Sequence, residues 1–263
     1  MNLPARRTRV PRAVLGLCVL AVALLPSSAA DGQGAAARSR WWDEVDEARS
    51  LLDEENWQKA ARRAERVREE LLRTSWREPD LGDVLAELAF QAAVARANLG
   101  EQEQALWEWW TALIHERARG RHEIAGRDLS GHGRAVELLA GIALRAAGEA
   151  PPGSEPASPR PDREWEAPAP PEGFALEPLE NTGALQERPP PALIEVWIDR
   201  EGALRHPVLV SSWNHPVVVQ WALDNLRRAS RFQPARMEGE TVEVLWQIQL
   251  DLRDAAGGRS RRR

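Results

Sequence analysis

A chain of 263 residues has room for two modest domains and a connector, or for one large domain. Its 35 basic and 40 acidic side chains are intermingled and sum to −5, which excludes the basic face that a nucleic-acid partner requires. A single cysteine, Cys18, excludes a disulfide framework, and twelve tryptophans supply the large apolar areas that small cores need.

The chain opens with an export signal. Arg6, Arg7, Arg9 and Arg12 form a positive lead, and Ala13 to Leu25 is an uninterrupted apolar run. Pro26 breaks it, and Ser28 and Ala30 put small residues where a signal peptidase reads before Asp31. Residues 1–30 are therefore expected to be a signal peptide, removed to leave a soluble periplasmic protein of a bacterial-type envelope. A count from Val10 to Ala30 barely reaches the roughly 20 residues of a membrane span, so an inner-membrane anchor over residues 10–30 stays as the alternative. Membrane contact belongs to that alternative alone.

Residues 31–40 are small and polar and are expected to be a disordered lead-in. From 41 to 148 the pattern is helix after helix. Trp42, Val45, Ala48 and Leu52 recur at three- and four-residue steps. Trp57 to Leu72 follows, with Ala60, Ala64 and Val67 on one stripe. Asp83 is placed as an N-cap ahead of Val84 to Leu99, which Gly100 ends. Glu101 to Arg119 and Ala135 to Ala147 complete the set, the last closed by Gly148.

Two of these helix pairs resemble tetratricopeptide (TPR) repeats. Gly100, Ala105, Trp109 and Ala112 occupy the turn-glycine, small, aromatic and small positions of that repeat, and Glu55, Trp57, Ala60, Ala64 and Val67 those of the pair before. Short side chains at such places let helices approach closely. An ordinary alanine-rich bundle satisfies the same pattern.

Residues 149–191 hold most of the nineteen prolines and predict an extended, semi-stiff linker joining two independently folding units. Trp165, Phe174, Leu176 and Leu179 within it are read as exposed.

At Ala192 the period changes to two. Ile194, Val196 and Ile198 alternate with Leu193, Glu195 and Trp197. Asp199 to Gly202 make a turn, and Leu204 to Val210 return, with Pro207 marking an edge or a bulge. Asn214 caps a helix that starts at Pro216 and runs to about Ala229. Gly239 turns the chain into a long last strand, Thr241 to Leu252.

The stretches VWIDREGAL (196–204), LVSS (209–212), LRRASRFQPA (226–235) and GETVEVLWQIQL (239–250) together resemble the C-terminal domain of the energy transducer TonB. Gly202, Phe232, Pro234 and Gly239 stand at its turn and corner positions. The resemblance covers residues 192–254 and implies a ββαβ fold. The fold class is thus α+β and multidomain: TPR-like helical hairpins, a Pro-rich linker and the TonB-like domain. Residues 255–263, with Arg259, Arg261, Arg262 and Arg263, are expected to be a basic disordered tail.

Chemistry is hard to find. His115-Glu116 and His122-Glu123 lack the second histidine of a zinc-protease helix, and no nucleophile elbow surrounds Ser130 between Asp128 and His132. No enzyme, metal or cofactor is expected. The resemblance implies a protein or peptide partner, such as a segment of an outer-membrane transporter, added as a strand to an exposed sheet edge in envelope transport or energy transduction. The last strand would carry it through Thr241, Glu243, Leu245, Gln247 and Gln249. The competing reading is a scaffold or adaptor whose helical repeats hold the main partner. A homodimer is open under either.

Overall fold

The computed structural model describes residues 31–75, 77–142, 148–151, 153, 155–179, 191–210, 215–229 and 231–250, of which 31–39 are described as backbone alone. The signal segment, the cap at Asn214, residues 143–147 and the basic tail lie outside these residues. The helix expected over Ala135 to Ala147 instead stops at Leu139, where Ala140 turns extended and Gly141 takes φ +82°. The architecture is α+β, a helical layer followed by small antiparallel sheets.

The helical layer comprises α1 (Asp31–Asp53), α2 (Trp57–Thr74), α3 (Leu81–Asn98), α4 (Gln102–Ala118) and the short α5 (Arg134–Leu139). The lead-in expected to be disordered is the first part of α1. Ala35 to Ala37 are the strongest helix formers and nothing before Asp53 stops the turn. Asp83 is not a cap: its amide donates to the Asp80 carbonyl inside the first turn of α3, and its carboxylate faces Arg119 and Arg121. Fifteen of the eighteen residues of α3 are buried, because α1, α2, α4, α5 and a later helix all pack around it. A helix that is apolar all round belongs in the middle of a layer.

The strands are β1 (Trp165–Glu166), β2 (Ala192–Ile198), β3 (Leu204–Leu209), β4 (Ala235–Met237), β5 (Glu240–Val242) and β6 (Val244–Leu250), with α6 (Pro216–Ala229) between β3 and β4. One sheet has the order β3-β2-β6 and the other β1-β4-β5, all antiparallel. The expected last strand is therefore two strands, divided at Glu243. Its first part follows a two-residue hairpin at Glu238 and Gly239, both at positive φ, the backbone that the right-handed twist of a hairpin favours.

The linker is not a free spacer. Trp165 and Glu166 pair with β4, and Gln233 and Ala169 exchange backbone hydrogen bonds at 2.8 and 3.2 Å. The Trp221 indole donates to the Glu177 carbonyl, whose residue's amide donates to Asn225 Oδ1, both at 2.8 Å. Leu179 is buried, and Trp165, Phe174 and Leu176 pack on the core. Extended proline-rich backbone is free to lie along a surface, and these four bulky side chains anchor it there. The described part of residues 148–179 acts as a strap.

The two parts share one core. A single cluster of buried side chains runs from Trp41 in α1 to Leu250 in β6. Helix α6 has ten of its fourteen residues buried, since one side lies on the sheet and the other on α4 and α3. Separating the two parts would expose apolar surface of α6 that the helical layer covers, so the units expected to be independent share this helix. Urea unfolding followed by tryptophan fluorescence and by far-ultraviolet circular dichroism should give one coincident transition. Two resolved transitions would show units that fold separately.

Candidate functional site

Strand β6 is at the edge of its sheet. The direction of its backbone groups follows from one bond. The Val210 amide donates to the Leu193 carbonyl at 2.8 Å, so Leu193 turns its peptide groups toward β3. Antiparallel strands alternate, so Ile194 turns toward β6, where it faces Ile248. Trp246 and Ile248 then bond to β2, and Leu245, Gln247 and Gln249 point their peptide groups away from the sheet. The Ala157 amide, which donates to the outward Glu243 carbonyl at 2.9 Å, has the parity this requires.

Side chains alternate in the same register. Val244 and Leu250 are buried and Trp246 and Ile248 half-buried, all packed on the common core where α6 lies. Gln247 and Gln249 are exposed and Leu245 is half-buried on the opposite face. The five residues expected on one edge are thus divided. Leu245, Gln247 and Gln249 share it. Thr241 does not, because it faces Arg236 in the other sheet, and the Glu243 carbonyl is taken by Ala157. Residue Ala157 carried no signal beyond its place among prolines, and sequence reasoning missed it.

The corner residues explain the shape of the module. Gly202 has φ +80°, and a Cβ there would stand 1.9 Å from the Phe232 carbonyl oxygen. The Phe232 amide donates to the Gly202 carbonyl at 2.8 Å. Asp199 Oδ1 accepts from the Glu201 and Ala203 amides, which holds the turn. Phe232 is buried, Pro234 half-buried beside β4, and Gly239 serves the hairpin.

Between the helical layer and the module lies a buried polar cluster. Glu108 of α4 takes Arg68 of α2 in a two-point contact and Arg227 of α6 at 2.7 Å. Burial would raise its carboxyl, but the two guanidinium groups outweigh this and hold it at about 2. Nearby, Gln220 Nε2 donates to Asp224 Oδ1, so its Oε1 must accept from His115 Nε2–H at 2.9 Å. His115 Nδ1 is buried with no hydrogen-bond partner. Burial first, and Arg68 in addition, lower this imidazole to about 4 despite the Gln220 bond.

Among the described residues no three His, Cys, Asp or Glu side chains stand where they could hold a metal ion. Ser130 donates to the Asp128 carboxylate through its backbone amide, which closes a turn. A groove of about 830 Å³ lies between α2 and α6, with Glu69, Arg73, Leu179 and Asp224 among its walls. No protein-family model, no curated protein and no solved structure matches the chain.

Gly202→Ala should destabilise the fold by more than about 2 kcal/mol, because left-handed backbone and a clash with a main-chain oxygen act together. A denaturation midpoint within error of the parent would refute this. His115 supplies a pH dependence. Its folded value lies below its unfolded one, so the unfolded chain binds the extra proton between pH 6.5 and 4. Stability should therefore fall as pH drops through that window, by about 3 kcal/mol in all. In His115→Gln that part of the urea-midpoint profile should flatten.

Proposed function

We propose that this chain is a non-enzymatic protein-interaction module of the bacterial-type cell envelope, TonB-like in its C-terminal part, that engages partner segments by strand addition at β6. The observation that carries the reading is the contrast between the two edges of one sheet. Strand β3 is blunted as natural edges are: Pro207 lacks a donor, His206 has φ +47°, and the β2 pairing shifts register beside it. Strand β6, from Val244 to Leu250, contains no charge, proline or glycine. An unprotected edge of this kind recruits another strand, and a protein that keeps one has a use for it.

The resemblance of residues 192–254 to the TonB C-terminal domain supplies the kind of partner, a segment of an outer-membrane transporter. The export signal read from residues 1–30 supplies the compartment, the periplasm. The helical layer favours a supporting role, since α3, which would line a peptide groove between repeats, is enclosed on every side. Its TPR-like pairs brace α6 from behind.

Gln247→Pro removes an amide that points off the sheet, so the β2 ladder keeps its bonds. Binding of labelled extended peptides should fall about tenfold or more in Gln247→Pro and barely change in Gln247→Ala, because the backbone carries the contact. Circular dichroism checks that both variants are folded. Equal affinity of a folded Gln247→Pro and the parent would reject strand addition at this edge.

A further inference from the structure

The strap reaches the same edge and stops there. Gly148 donates its amide to Glu195 Oε1 at 2.7 Å, on the sheet face opposite α6. Nine residues later Ala157 forms a parallel bridge with Val244 at the outer side of β6. In a parallel ladder the next rung would be an amide of residue 159 donating to the Leu245 carbonyl. That residue is Pro159, which has no N–H. Pro156 stands on the other side of Ala157. The strap therefore touches β6 at one position and is unable to zip along it.

Beyond the bridge, the Leu245 carbonyl and both peptide groups of Gln247 and Gln249 face outward. The stretch from Leu245 to Leu250 spans roughly 17–20 Å at strand spacing. A strand laid there would alternate its side chains between two different surfaces. On the α6 side it would meet half-buried Trp246 and Ile248, where apolar side chains extend the core. A charge on that side would be desolvated with no counter-charge on β6. On the other side it would meet Leu245 at one end and then the exposed amides of Gln247 and Gln249, which exchange hydrogen bonds with hydroxyl and amide side chains.

We propose that β6 beyond the Ala157 bridge is a short slot, kept open by Pro159, for an uncharged partner strand that is apolar on its α6 side and carries hydroxyl or amide side chains on the other. This rests on strand addition as the function and goes further in naming the partner's pattern and the residue that keeps the slot vacant.

The probes are three fluorescein-labelled seven-residue peptides: alternating Val and Thr, alternating Ser and Thr, and alternating Glu and Thr. On the full chain the Val–Thr peptide should bind at least about tenfold more tightly than the other two. Pro159 is exposed, so Pro159→Thr leaves the core untouched while restoring the missing donor. In that variant the strap should extend along β6 and compete. The Val–Thr affinity should fall about fivefold or more, and exchange of the Gln247 amide with deuterium should slow about tenfold or more. Equal binding of the three peptides overturns the partner pattern. Unchanged Gln247 exchange and unchanged Val–Thr affinity in Pro159→Thr overturn the role of Pro159. Failure of every peptide to bind the parent chain rejects strand addition itself, and the slot with it. Binding that is lost in Gln247→Pro but equal among the three peptides leaves strand addition standing and removes only the pattern.

Discussion

Everything else in the molecule is arranged around Glu108, a carboxylate with almost no contact with solvent. Its two oxygens are shared by Arg68 and Arg227, so helices from both parts of the chain meet at one charge. A buried ion group of this kind adds little net stability compared with apolar packing, yet losing one member strands the others at about 3–5 kcal/mol. Its effect is specificity. The apolar stripe of α6 fits many surfaces, but only one seating brings Arg227 to Glu108 and Gln220 to His115.

That seating also fixes how the sheet is backed. With α6 clamped against α4 on one side, the sheet has a fixed floor, and Trp246 and Ile248 are held half-buried at its margin. Among the described residues, the strap touches the opposite face at Glu195 and the lower end of β6 at Val244, and leaves the rest of the edge uncovered. A free edge is ordinarily a hazard because any strand can add to it. Here its length is limited by the Ala157 bridge, and the strap's prolines keep the protein from satisfying the edge with its own chain. These are the features on which the proposed strand addition rests.

The same arrangement gives the titratable groups a structural explanation. His115 and Glu108 are both strongly displaced, and both face charged or amide partners across the α4–α6 junction. Their displacement follows from burial at a joint between two parts. The junction thus ties pH to the docking of the module.

The local parts were legible in the amino-acid sequence. The helices from Trp57 to Ala118 follow from three- and four-residue apolar spacing, and β2 from the alternation of Ile194, Val196 and Ile198. Gly202 and Phe232 stood out as a turn and a corner, and they meet. The edge residues Leu245, Gln247 and Gln249 were within reach because side chains in a strand alternate by necessity. Tertiary structure alone decided the rest. Period and propensity describe one element against solvent, and they carry no record of what covers its second face. Only the folded chain sets Arg227 beside Glu108 across 119 positions, divides the last strand at Glu243 and sends Thr241 to another sheet. Composition makes residues 148–179 extended; whether an extended segment floats or docks depends on the anchoring sites that Trp221, Asn225 and β4 present only once they are assembled.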